Sequence, residues 1–151
     1  MTSIVSLAFL HHAAAFLIVG LVTAELVLMR EVTLITARSL LRMDAVYGVA
    51  AVFLLVIGFL RVFYTEKGAA YYFHSIPFIA KIALFAVVGL LSIYPTRQYL
   101  SWRPLLKDNR VPAIDAGTRR KIRLILHVEL TLLFLMMLCA AMMARGVAVF
   151  S

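Results

Sequence analysis

The sequence predicts an all-α, polytopic membrane protein: a bundle of four transmembrane helices with both termini on the periplasmic side. Three observations predict it. The 151-residue chain is 64% hydrophobic with a mean hydropathy of +1.01, more apolar surface than one soluble core of this size can hide. Four apolar stretches each reach the ~20 residues that cross a bilayer. Basic residues are gathered in two of the three linkers, as orientation signals are.

The spans are expected at about residues 4–29, 44–64, 75–100 and 121–149, within a single domain covering 1–151. Lipid leaves no backbone polar group a partner outside the chain, so continuous apolar runs must be helices, and a barrel would alternate instead. The first run could imitate a signal peptide, with Ala13-Ala14-Ala15 before a cleavage point. It lacks a basic start and is too long for such a core, and Arg30 follows it directly, so it reads as a spanning helix. The linker 30–43 holds Arg30, Arg38 and Arg42, and the linker 97–123 holds Arg97, Arg103, Lys107, Arg110, Arg119, Arg120, Lys121 and Arg123. Together they carry 11 of the 15 basic residues, which places these linkers in the cytoplasm and the protein in a bacterial inner membrane. The net charge of +8 is therefore a topology signal, and nucleic acid is not an expected partner. Tyr94, Tyr99 and Trp102 read as an inner aromatic belt, and Phe63, Tyr64, Tyr71, Tyr72 and Phe73 as an outer one. Pro104, Pro112 and Gly117 mark the third linker as a solvated loop.

Function has to be sought among polar residues inside the apolar runs: His11, His12, Glu25, Arg61, Lys81 and Glu129. An ionised side chain near mid-bilayer costs at least ~2.5–3.5 kcal/mol, so each must face the bundle, pair, or hold a ligand. Counting along the helices puts His11, Arg61 and Lys81 at one depth in the outer half, with Glu66, Lys67, Tyr71, Tyr72, His74 and Arg145 just beyond. Glu25 and Glu129 form a second, inner group, near the level of Asp44, Tyr47 and His127. His11, Ala14, Ala15, Ile18 and Glu25 share one face of the first helix, and His74, Phe78, Lys81, Phe85, Val88 and Ser92 one face of the third. Bland readings stand beside these. Arg61 and Arg145 can snorkel to headgroups, Glu129 can pair with a basic residue of a cytoplasmic linker, and Met136, Cys139 and Met143 can be adaptable packing rather than a copper site. A single cysteine excludes an intrachain disulfide. Phosphate-binding glycine loops, CxxC, HExxH and GxSxG motifs do not occur.

Leu10-His11-His12, Ala24-Glu25-Leu26-Val27-Leu28, Arg61-Val62-Phe63-Tyr64, Lys81-Ile82-Ala83-Leu84-Phe85 and Met143-Ala144-Arg145-Gly146 resemble a bacterial family of predicted membrane proteins of unknown function. More distantly, the layout resembles the four-helix membrane protoporphyrinogen oxidases and the CopD-like copper-resistance proteins. The oxidases bind haem b and use a histidine of the first helix and a lysine of the third. That resemblance implies haem b held by His11 or His12 as iron ligand, with His74, Arg61, Lys81, Tyr71, Tyr72 and Arg145 around it. Ile79 stands where the oxidases have a histidine. Three readings follow. In the first, a haem-b protein of redox or porphyrin chemistry uses Lys81, Glu25 and Glu129 as reactive groups. The second is a binding or transport protein for an anionic lipid, a quinone or a small solute, built as a homodimer if it transports. In the third, an assembly subunit uses its polar residues only to knit helices together.

Overall fold

The computed structural model describes residues 2–64 and 74–145. Its helices are α1 (Thr2–Leu28), α2 (Leu34–Tyr64), α3 (Ile76–Ser101), a short α4 (Arg103–Lys107) and α5 (Ala116–Ala144). All but α4 are long and apolar enough to cross a membrane. At 26 to 31 residues they are ~39–47 Å long, which exceeds the hydrocarbon layer and carries their ends into the headgroups or requires tilt. We call the end where α1 meets α2 and α3 leads through α4 to α5 the basic end, and the opposite one the terminal end.

Two helices begin earlier than the sequence reading placed them. α2 starts at Leu34 rather than near Asp44. Thr33 and Thr36 explain this by capping each other: Thr36 Oγ1 accepts from Thr33 N at 2.7 Å and Thr33 Oγ1 from Thr36 N at 3.2 Å. This is the reciprocal logic of a capping box with threonine in the place of glutamate. Arg38 and Arg42 are therefore helical rather than in a loop. α5 starts at Ala116, capped by Asp115, whose Oδ1 accepts from Thr118 N at 2.8 Å. The third linker also carries more structure than a solvated loop: α4 buries Trp102 and Leu106 at its two ends. Arg38 ties this segment to α2, donating through Nη2 to Leu106 O at 3.1 Å and to Asn109 Oδ1 at 2.6 Å.

Around the bundle the order is α1, α2, α3, α5. α1 packs along α2 and α3 along α5, while α1–α5 and α2–α3 contacts close the ring. α1 and α3 are therefore diagonal, and only long side chains meet between them. Each helix turns one stripe inward at the spacing a helix demands. The stripes are Ala14, Ile18, Val22 and Glu25 on α1, and Leu40, Asp44, Tyr47, Ala50, Leu54 and Ile57 on α2. On α5, Ile122, Leu126, Glu129, Leu133 and Met136 form the stripe. α3 contributes Phe78, Val88, Pro95 and Tyr99. The opposite faces carry exposed Phe9, Phe16, Phe53, Phe63, Leu90 and Phe134, an arrangement stable only against lipid. Two members of the expected inner aromatic belt are core instead. Tyr99 and Trp102 are enclosed and their rings pack at 5.1 Å, because Tyr99 continues the stripe through Val88 and Pro95. Tyr94 keeps a polar partner, with Lys121 Nζ 4.0 Å above its ring. Phe63 and Tyr64 are exposed, as a belt requires. Tyr71, Tyr72 and Phe73 lie outside the described residues.

The Asp115 cap is the testable part of this description. Hydrogen bonds from the Thr118 hydroxyl and backbone N–H hold its carboxyl below the usual range. A depressed folded-state value means that the cap stabilises above the unfolded carboxyl's value of ~3.9 and is lost as pH falls through the folded one. Asp115→Ala should therefore lower the thermal midpoint of detergent-solubilised protein at neutral pH. The difference from wild type should vanish in strong acid, as read by circular dichroism.

Candidate functional site

His11 and Lys81 stand on diagonal helices, yet their side chains meet. Lys81 Nζ lies 3.5 Å from His11 Nε2, at the outer limit of a hydrogen bond. With Lys81 as an ammonium, which only donates, Nε2 is the acceptor and the ring proton falls on Nδ1. That Nδ1 is enclosed and closes no full hydrogen bond among the described residues, although the backbone of Leu54 on α2 interacts with the ring. Gly58 of α2 borders the ring: a Cβ there would stand in van der Waals contact, 3.5 Å from His11 Cε1, so that only a larger side chain would crowd it. Arg61, one turn further along α2, is half-buried with its Nε enclosed and unpartnered. Its charge acts on both His11 and Lys81. Cys139 of α5 also acts electrostatically on Lys81.

These three basic groups line a cavity of about 470 Å³ walled by all four long helices, within the range of small-ligand sites. The rest of its lining is nearly all apolar, with Phe78 and Phe85 from α3 and Met136, Met137 and Met143 from α5. Among the described residues no Asp or Glu pairs with His11, Arg61 or Lys81. Glu66, a carboxylate candidate from the sequence, lies outside the described residues, as do Lys67, Tyr71 and Tyr72.

The remaining sequence candidates are less central. His12 is exposed at the cavity rim, and its Nδ1 lies 2.6 Å from Ala8 O. Its ring stands at 85° to that of His11, so the adjacent pair cannot flank one ion. His74 is exposed just before α3, and Arg145 is the exposed C-cap of α5; neither lines the cavity. His127 is exposed towards the basic end, its Nδ1 2.6 Å from Arg123 O. Of the Met136–Cys139–Met143 stripe, the two methionines supply cavity wall, and no group of three metal-ligating His, Cys, Asp or Glu side chains occurs among the described residues.

Near the basic end lies the second polar group. Glu25 and Glu129 are 2% and 1% exposed, and Asp44 joins them at 6%. The three act electrostatically on one another, and Tyr47 and Tyr99 face them. Asp44 Oδ1 accepts from Thr96 Oγ1 at 2.7 Å. Glu129 has no basic partner among the described residues, so the pairing envisaged from sequence is not made there. The sequence places Asp44 only near the level of Glu25 and Glu129; its spacing, on one inward stripe with Leu40 and Tyr47, is the signal that makes it a member of the group.

Long apolar helices with enclosed ionisable side chains define an integral, multi-pass membrane protein. Residues 3–148 match the family described as "Predicted membrane protein (DUF2214)", and the chain belongs to that family, whose function is unknown. Neither the comparison with curated proteins nor that with solved structures found a match. The comparisons thus lend no support to the more distant likeness to haem-b oxidases.

Proposed function

We propose that this protein binds an amphipathic anion, a ligand with an apolar body and an acidic or strongly accepting head, inside the cavity of its terminal half. The observation that carries the reading is the convergence of Lys81, Arg61 and His11 on one otherwise apolar cavity, with no carboxylate paired to them among the described residues. Uncompensated cations in a low-dielectric setting attract an anion strongly. Lys81 and Arg61 would hold the head. His11, which accepts from Lys81, would present its Nδ1–H or exchange partners with the ligand. The phenylalanine and methionine walls suit an apolar body, methionine adapting to its outline.

Anionic lipids, quinones and porphyrins share this chemistry. Haem b is the special case in which His11 would leave Lys81 to bind the iron, and Lys81 and Arg61 would hold the acidic side chains of the porphyrin. Among the described residues His11 is the imidazole enclosed in the cavity; His12 stands exposed at its rim, with its Nδ1 on the Ala8 carbonyl. When bound, haem would supply electron transfer or porphyrin redox chemistry.

The test is to purify the full chain in mild detergent, record oxidised and dithionite-reduced absorption spectra, and identify co-purifying small molecules by mass spectrometry. Wild type should carry one molecule of this class, a Soret band marking the porphyrin case and lipid or quinone masses the others. Lys81→Met, His11→Ala and Gly58→Leu, the last placing a side chain against His11, should each lose it with helix content unchanged. A wild type that carries nothing, or retention in all three variants, would overturn the reading. Loss of the fold in Lys81→Met would make that residue structural and overturn it as well.

We also propose that the basic end is cytoplasmic, in a bacterial inner membrane, on the strength of the arginines and lysines around α4 and the start of α5. A membrane-impermeant thiol reagent applied to intact cells should then leave Arg110→Cys unmodified and react with it only after lysis. Labelling in intact cells would reverse the orientation.

A further inference from the structure

Glu25, Asp44 and Glu129 come from three different helices, are all buried, and act electrostatically on one another in the basic half of the bundle. Three carboxylates cannot be charged together in so enclosed a place without a counter-charge, because their repulsion is barely screened and each has lost its water. No lysine or arginine pairs with them among the described residues. The compensating positive charge must come from protons or from a bound cation.

Two observations beyond the acidic cluster bear on which it is. Tyr99 from α3 is fully enclosed, and its hydroxyl interacts with the Glu25 carboxyl at longer range than a full hydrogen bond. Glu25 Oε1 and Glu129 Oε1 are likewise enclosed and unbonded. A hydroxyl and two carboxyl oxygens held in this way leave donors and acceptors for protons or a water to connect. A cation instead requires several oxygens converging on one point, and no such group of three acidic or histidine side chains exists among the described residues.

There is also a route. A second cavity of about 340 Å³ lies between α2 and α3, lined by Asp44, Tyr47, Ser92, Thr96 and, towards the basic end, Arg103. Glu25 and Glu129 do not line it, so Asp44 is the member of the cluster that meets it. In the other direction, Ile18, Leu55, Phe85 and Leu133 line both this cavity and the larger one. They form an apolar layer between the carboxyls and the His11–Lys81 pair.

We propose that Glu25, Asp44 and Glu129 form an exchangeable proton store, loaded through Asp44 from the cavity between α2 and α3 and closed off from the larger cavity by the Ile18–Leu55–Phe85–Leu133 layer. A hydrated proton in the cavity protonates a carboxylate oxygen of Asp44 and releases water. Asp44 passes the proton to Glu25 or Glu129 and regains its negative charge, so the cluster becomes one charge less negative per proton taken up. The groups that face these three are Tyr47 from α2, Tyr99 from α3 and one another from α1, α2 and α5. None of the proposed proton carriers belongs to the anion site, so failure of either proposal leaves the other standing.

Infrared spectroscopy of the full chain in lipid nanodiscs reads the store directly. Wild type at neutral pH should show a protonated-carboxyl C=O band that shifts in D₂O. Glu25→Gln and Glu129→Gln should each lose part of it. Asp44→Asn should keep the Glu25 and Glu129 contribution but exchange hydrogen for deuterium more slowly. The proposal fails if wild type has no such band, or if the band is unchanged in both glutamine variants. It fails equally if Asp44→Asn exchanges as fast as wild type, or if sodium or potassium at constant pH abolishes the band, which would make this a cation site. Should a variant not fold, the wild-type band and its response to added salt still decide.

Discussion

Everything in this bundle depends on one constraint: an ionisable side chain in a spanning helix cannot face hydrocarbon. The penalty, ~2.5–3.5 kcal/mol or more for each charge near mid-bilayer, is comparable to the burial energy of a whole leucine side chain. It fixes the rotation of each helix about its own axis. α1 must turn inward the face bearing both His11 and Glu25, and Ala14, Ile18 and Val22 follow because they share that face. α5 turns inward on Glu129 and α2 on Asp44. Apolar packing alone would not choose these rotations, since lipid receives a leucine as readily as a neighbouring helix does.

The same constraint sorts polar chemistry into two layers. In the terminal half, basic groups gather on a cavity; in the basic half, carboxyls gather with tyrosines; and an apolar layer containing Ile18 and Leu133 lies between. Segregation by sign is informative. If these residues served only to knit helices together, Lys81 and Glu25 or Glu129 would gain by standing at one level and pairing. They stand apart instead, and each layer is left with charge that the described residues do not neutralise. The proposed anion site above and proton store below both rest on that imbalance.

Much of this was legible in the sequence. Helix number, the inward stripes of α1 and α3, and the depth of His11 and Lys81 follow from length, period and rise, which are local properties. What escaped depends on relations between distant segments. Nothing in one sequence says that α1 and α3 are diagonal, or that a lysine and a histidine are long enough to meet across the interior. Asp44 read as the start of a span because an aspartate interrupts hydropathy. The threonine pair Thr33 and Thr36 had already begun the helix and carried Asp44 into the core. Tyr99 and Trp102 read as belt residues because tyrosine and tryptophan are common at that depth; the packed α4 segment encloses them instead.

The central claim is that His11 and Lys81 face each other inside the bundle rather than turning to the headgroups. Solid-state NMR of protein labelled at histidine and lysine nitrogens, in lipid bilayers, tests it most directly. The account predicts a through-space correlation between Lys81 Nζ and His11 Nε2, consistent with their 3.5 Å separation, assigned by its disappearance in Lys81→Met. Its absence, with the Lys81 nitrogen in contact with lipid phosphate, would contradict the account.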